Sequence, residues 1–264
     1  MKAFIAHLFT LLSFSSMVFA QKGLLHSGPM PGFSGKNRVL IWLQTKEPAT
    51  AYIKYWISKN ADSSLQSPEI TSDKVSGNTF HFNIQNLKSG ERYQYEVYIN
   101  SIKQEFEDPL FFRTQPDSAV GGEISFATGS CAYTKEPETD SEEYRGIYHI
   151  YNSIAALKPD FTLWLGDNIY FENSDITSRE GMLHRYTFSR GNPYLQKLLR
   201  TSHHYAIWDD HDYGPNDADS SFKNKAISNE MFNLFWCNND VRRFNRNNSI
   251  ANVFSWNDAD FFSS

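Results

Sequence analysis

FTLWLGDNIY, residues 161–170, decides how the second half of this chain is read. An apolar, aromatic run of strand type stops abruptly at Gly166-Asp167-Asn168-Ile169-Tyr170. The same arrangement appears on either side of it. Ile124-Ser125-Phe126-Ala127 stops at Gly129-Ser130-Cys131, and His204-Tyr205-Ala206-Ile207-Trp208 stops at Asp209-Asp210-His211-Asp212. Between the first two runs, Ile147, Ile150, Tyr151, Ile154 and Leu157 recur at helical spacing over residues 146–157. A second helical stretch is expected over residues 178–200. Strands that alternate with helices predict β-α-β units, in which ligands and reactive groups collect beyond the carboxyl ends of the strands. Each of these ends carries Cys, Asp, Tyr or His.

Those residue types fit a metal centre. Carboxylates and a phenolate suit hard cations, whereas thiolate and imidazole suit transition metals, so a mixed set points to more than one ion. Two cations bridged by a carboxylate clamp a phosphoryl group during in-line displacement. A histidine beside them donates a proton to the leaving group or binds a phosphate oxygen. Taken alone, Asp209 to Asp212 is also an ordinary acidic turn, since Asp, Gly, Pro and Asn all favour turns.

The first half reads as all-β. Arg38 to Leu43 is a β-rich run, and the stretches 51–56, 79–84 and 93–98 alternate with period two, before Phe111-Phe112-Arg113-Thr114 closes the set. Short strands separated by Gly, Ser, Asn and Pro predict a sandwich. The segment Leu87 to Tyr95 resembles the corner of fibronectin type III domains, where a turn feeds a Tyr-bearing strand. Pro116, Asp117, Ser118, Gly121 and Gly122 read as a linker. The expected layout is a fibronectin III/Ig-like sandwich over residues 21–116, followed by an α/β domain over residues 122–264.

Met1-Lys2, the short apolar stretch from Phe4 to Leu12 and Val18-Phe19-Ala20 together predict a secretory signal peptide over residues 1–20, cleaved after Ala20. The apolar run is too short for a membrane span, and no Cys follows the cleavage site. A net charge of −5 without a basic stripe argues against a nucleic-acid binder. The expected location is periplasmic or extracellular, reached by the general secretory route. Two cysteines, Cys131 and Cys237, are too few for a disulfide scaffold; they either form one bridge or serve separately. Cys237 falls in a helical-looking, core-like stretch, and His203 and His204 read as structural.

Gly129-Ser130-Cys131, Gly166-Asp167-x-x-Tyr170 and Trp208-Asp209-Asp210-His211-Asp212 together resemble the PhoD-like alkaline phosphatases of the calcineurin-like metallophosphoesterase superfamily. The likeness runs from about Gly23 to the end of the sequence. It implies Cys131 as a thiolate ligand, Asp167 as the carboxylate bridging two metal positions, and Tyr170 as a phenolate ligand of ferric ion. Asp210 stands where the superfamily has an Asn ligand, and His211 matches its phosphate-contacting His, while Asp209 and Asp212 support the loop. The resemblance also implies Fe and Ca ions and a small phosphate ester as substrate. Phosphodiesterase specificity and a non-catalytic secreted binding protein are the alternatives. Superfamily sites are completed by later His-bearing loops, which this sequence lacks, and an alternating strand starting near Asn252 is still running at Ser264. The sequence therefore reads as the N-terminal part of such a protein. Arg185 and Arg190 are further candidates to face a phosphate.

Overall fold

The computed structural model describes residues 23–59, 63–117, 121–135, 148–239, 250 and 252–263. The leader expected over residues 1–20 lies outside the described residues. No helix among them is long and apolar enough to cross a membrane.

The first half is a two-sheet sandwich. One sheet has the order β1 (Leu25–Ser34), β2 (Val39–Thr45), β6 (Thr79–Ile84). The other is built on β3 (Thr50–Ile57), β7 (Arg92–Ile99) and β9 (Leu110–Arg113), with the short strands β4 (Leu65–Gln66), β5 (Ile70–Thr71) and β8 (Ile102–Lys103) at its margins. Period-two alternation explains the core. The register sets Ala51 opposite Ile99, Ile53 opposite Val97 and Tyr55 opposite Tyr95, and all of these face inward onto Ile41, Leu43, Phe80 and Phe82. At the predicted corner the Lys88 N–H donates to the Tyr93 hydroxyl at 2.8 Å, the tyrosine-corner bond of this sandwich class.

The sequence reading did not foresee β1. Its Gly28, Pro29, Pro31 and Gly32 argue against a strand interior, and Pro is tolerated because β1 is the edge of its sheet, with bulges in its register. That edge is covered. Phe33 N–H donates to Cys237 O at 2.8 Å, and a Cβ on Gly32 would come within 2.4 Å of Cys237 Cβ.

The second half carries a parallel three-stranded sheet in the order β10 (Phe126–Gly129), β11 (Phe161–Leu165), β12 (His203–Ile207). Helix α1 (His149–Leu157) connects the first pair. The single helix expected over residues 178–200 is two: α2 (Arg179–Arg190), capped by Ser178, and α3 (Leu195–Thr201). Pro193 between them supplies no N–H and cannot continue a helix. After β12 come the one-turn α4 (Asp210–Tyr213) and α5 (Lys225–Phe235). The unfinished strand expected from Asn252 is instead a hairpin, β13 (Asn252–Trp256) and β14 (Ala259–Ser263). It turns through Asn257 at φ 53°, the left-handed backbone that Asn tolerates in tight hairpins.

The two halves share a core. Met30 and Trp42 of the sandwich pack in one cluster with Trp164, Tyr186, Phe235 and Trp236. Phe33 joins Phe161, Tyr205, Phe254 and Trp256 in another.

Candidate metal centre

Parallel pairing sets Gly129 beside Trp164 and Leu165 beside Ile207, so the three strands end at one level. The loops beyond them leave the sheet through unusual backbone. Gly166 has φ 93°, and a Cβ there would come 2.5 Å from Asp209 Cβ, so only glycine lets the β11 and β12 loops approach this closely. Cys131 (φ 58°) and Asp167 (φ 50°) both adopt left-handed backbone. Such conformations at side-chain-bearing residues persist only where their surroundings hold them.

Asp167 is at the centre. Its Oδ2 accepts from the Tyr170 hydroxyl at 3.2 Å and from Cys131 Sγ at 3.5 Å, and its Oδ1 accepts from the His211 backbone N–H at 3.3 Å. Its carbonyl oxygen accepts from Ala132 N–H at 2.8 Å, which ties the β10 loop to the β11 loop. Ligand atoms of Asp167, Asp210 and His211 lie within 4.8 Å of one another. The Tyr170 and His211 rings lie 4.2 Å apart between centroids at 34°. Tyr133 meets Tyr170 edge-on at 5.1 Å and donates its hydroxyl to Glu172 at 3.0 Å. The structure thus brings Cys131, Asp167, Tyr170, Asp210 and His211 to one place.

Burial raises the pKa of the Tyr170 phenol, and its hydrogen bond to Cys131 and the charge of Asp167 push it further up. The Tyr170 hydroxyl and Cys131 Sγ both lie within hydrogen-bond reach of one Asp167 oxygen, so a cation seated there would meet a set of oxygen and sulfur donors. That donor set fits a mixed centre of a hard ion and a transition metal.

Asp209 caps α4. Its side chain accepts from Asp210 N–H, and its backbone N–H donates to Asp212 Oδ2 at 3.1 Å, in a reciprocal capping box. Asp212, read from sequence only as loop support, is fully buried, and both of its oxygens accept from Asn168 N–H at 3.1 Å. Asn168 Oδ1 is buried without a hydrogen-bond partner among the described residues. Sequence reasoning missed Asn168, Tyr133 and Glu172. The adjacency of Asn168 to Asp167 was the one available signal.

Other candidates go elsewhere. Arg185 is buried in an ion pair with Asp175 at 2.7 Å. Arg190 lies 3.9 Å from the Trp236 ring and donates to Phe235 O, and burial lowers its pKa to about 10. His203 and His204 are interior residues. Cys131 and Cys237 are both free, so the single bridge is not formed. Cys237 lies buried against His81, Sγ to Nδ1 3.3 Å, and burial raises its thiol pKa.

No family model matches the sequence, and no curated protein matches it. Among solved structures the chain is similar to a structure of PhoD, with a TM-score of 0.69 and 15% identity, over 86% of this chain and 49% of that one. It is also similar to the purple acid phosphatase PPD1 from yellow lupin (Lupinus luteus) seeds, with a TM-score of 0.55 and 11% identity, over 86% of this chain and 42% of that one. The chain spans about half the length of these proteins or less. At such identities the likeness establishes a shared fold.

Proposed function

We propose that this sequence forms part of an exported, metal-dependent phosphoric ester hydrolase of the alkaline phosphatase D type, acting on small phosphomonoesters. The observation that carries the reading is the convergence of Tyr170, Cys131 and the His211 backbone on the Asp167 carboxylate, with Asp210 alongside. Its shared fold with two phosphatases supports the same reading.

In this reading Cys131, Asp167 and Tyr170 would hold an iron ion, and Asp167 and Asp210 a calcium ion. Ions bound there would supply Lewis-acid polarisation of the phosphoryl group and acidified water. The chain's own residues do the rest. Asp167 fixes the spacing between the positions, because both of its oxygens are already engaged from separate loops. His211 contacts a phosphate oxygen or donates a ring proton to the leaving group. Contact with the Tyr170 ring, tilted by 34° at 4.2 Å, restrains its imidazole.

The test is an assay of the purified protein supplied with Fe and Ca, using p-nitrophenyl phosphate and its bis-ester. Hydrolysis of the monoester is expected to be the faster, and Asp167→Ala is expected to lower it by at least about 100-fold, beyond the usual effect of losing an outer-shell partner. A faster bis-ester reaction reassigns the same centre to phosphodiesters. Hydrolysis of neither ester by protein shown to contain both metals overturns the enzyme reading in favour of a binding protein.

A further inference from the structure

We propose that Asp212 is a positioning residue that sets the separation of Asp167 and Asp210 by clamping the two loops that carry them. The inference rests on the metal-centre reading above.

The clamp is specific in its attachments. Asp212 Oδ1 and Oδ2 both accept from the Asn168 backbone N–H at 3.1 Å, and Oδ2 also accepts from Asn168 Nδ2 at 3.3 Å and Asp209 N–H at 3.1 Å. Asn168 directly follows Asp167, and Asp209 directly precedes Asp210. A local helix cap would need only the Asp209 bond, but the Asn168 donors come from 44 residues away, in the loop after β11. Asn168 completes the lace by donating its Nδ2 to Ile207 O at 2.7 Å, on the last residue of β12.

The backbone shows what the clamp restrains. Asp167 sits at φ 50° directly after Gly166 at φ 93°, conformations that relax unless neighbouring bonds hold them. Asp212 is fully buried, and a buried carboxylate is costly unless hydrogen bonds compensate it. Its compensating donors belong to the neighbours of two candidate ligands. Outer residues that orient ligands in this way govern affinity without touching the ion.

The experiment compares Mn2+ binding by the wild-type chain, Asp212→Asn and Asn168→Ala, read as loss of the free Mn2+ electron paramagnetic resonance signal. Thermal midpoints of the metal-free proteins are measured alongside. Phe82→Leu, which thins the sandwich core among Ile41, Leu43 and Phe80, serves as the stability control. Asp212→Asn is expected to weaken Mn2+ binding about 10- to 100-fold, and Asn168→Ala to weaken it less. Phe82→Leu is expected to lower the midpoint while leaving Mn2+ affinity unchanged. Wild-type affinity in Asp212→Asn overturns the clamp and leaves the metal centre standing. If Asp212→Asn does not fold, Asp212→Ser takes its place, and wild-type affinity there overturns the clamp, because Asn168→Ala still keeps the backbone N–H that both Asp212 oxygens accept from. Failure of the wild-type chain to bind Mn2+ overturns the metal-centre reading itself.

Discussion

His204 accepts at Nδ1 from Trp164 Nε1–H at 3.0 Å and donates from Nε2 to Leu198 O at 3.1 Å, fully buried between them. His203 is fixed in the same manner, donating from Nδ1 to Gly32 O at 2.7 Å and accepting from Arg113 N–H at Nε2. Burial lowers the pKa of His204 to about 3 and of His203 to about 4. The unfolded chain binds protons below about pH 6.5 that the folded chain refuses. Stability is therefore full above that pH and falls as the pH drops towards 4 and 3. Asp212 works in the opposite sense. Burial raises its pKa to about 7, so its contribution is present at acid pH and is lost as the pH rises through 7. With His203, His204 and the buried His81, whose pKa burial also lowers, against one aspartate, the protein is expected to lose stability from pH 6.5 to pH 4. His204→Gln should remove a share on the order of several kcal/mol from that slope. Urea unfolding at a series of pH values measures it, and an unchanged slope in the variant would contradict the assignment. At this scale Cys131, Asp167, Tyr170, Asp210 and His211 were legible because each is a chemically distinctive residue at a strand end. Asp212 was legible only as support: adjacent acids look alike in sequence, and burial is decided by the tertiary fold.

Elements place these residues through their ends, and the critical point is where β11 and β12 stop. Gly166 combines φ 93° with a virtual Cβ 2.5 Å from Asp209 Cβ and 2.9 Å from its backbone nitrogen. Gly166→Ala must push the β11 and β12 loops apart, and it is expected to cost about 2–4 kcal/mol. Gly129, at the end of β10, has nothing within 4 Å of a virtual Cβ and no positive φ. Gly129→Ala should stay within about 0.5 kcal/mol of wild type. Denaturant unfolding of the two variants side by side checks the contrast, and equal effects would show that the Gly166 contact is not limiting. Elements with clean periodicity, such as β3, β7 and β11, could be read directly. The edge strand β1 was hidden by its prolines and glycines. The β13–β14 hairpin was hidden because Asn257-Asp258 interrupts an otherwise continuous alternation by only two residues.

The whole molecule is held as one body across the sandwich and the α/β half. Trp42 is fully buried, its Nε1–H donates to Leu234 O at 2.8 Å, and its ring lies 5.8 Å from that of Phe235. Around it Ser27 donates to Arg190 O, Gln44 to Thr187 and Arg200 to Gly28 O. At the other end Tyr205 OH accepts from Ser34 N–H, and Arg113 pairs with Asp160. The sequence carried a trace of this. The run Val39 to Leu43 is apolar without alternation, the pattern of a strand covered on both faces, whereas β3 alternates because one of its faces meets solvent. A sandwich read as a separable module misses that its β1–β2 surface is core for the second half. Trp42→Ala should therefore destabilise the entire chain, by about 3–5 kcal/mol for a fully buried Trp. Tryptophan fluorescence reports mainly on the shared cores, and far-UV circular dichroism reports on all strands and helices. In wild type and variant alike, both are expected to follow a single coincident transition. Two separated transitions, with only one displaced by Trp42→Ala, would show that the halves unfold independently. The strand ends bearing Asp167 and Asp210 would then owe their alignment to the α/β half alone.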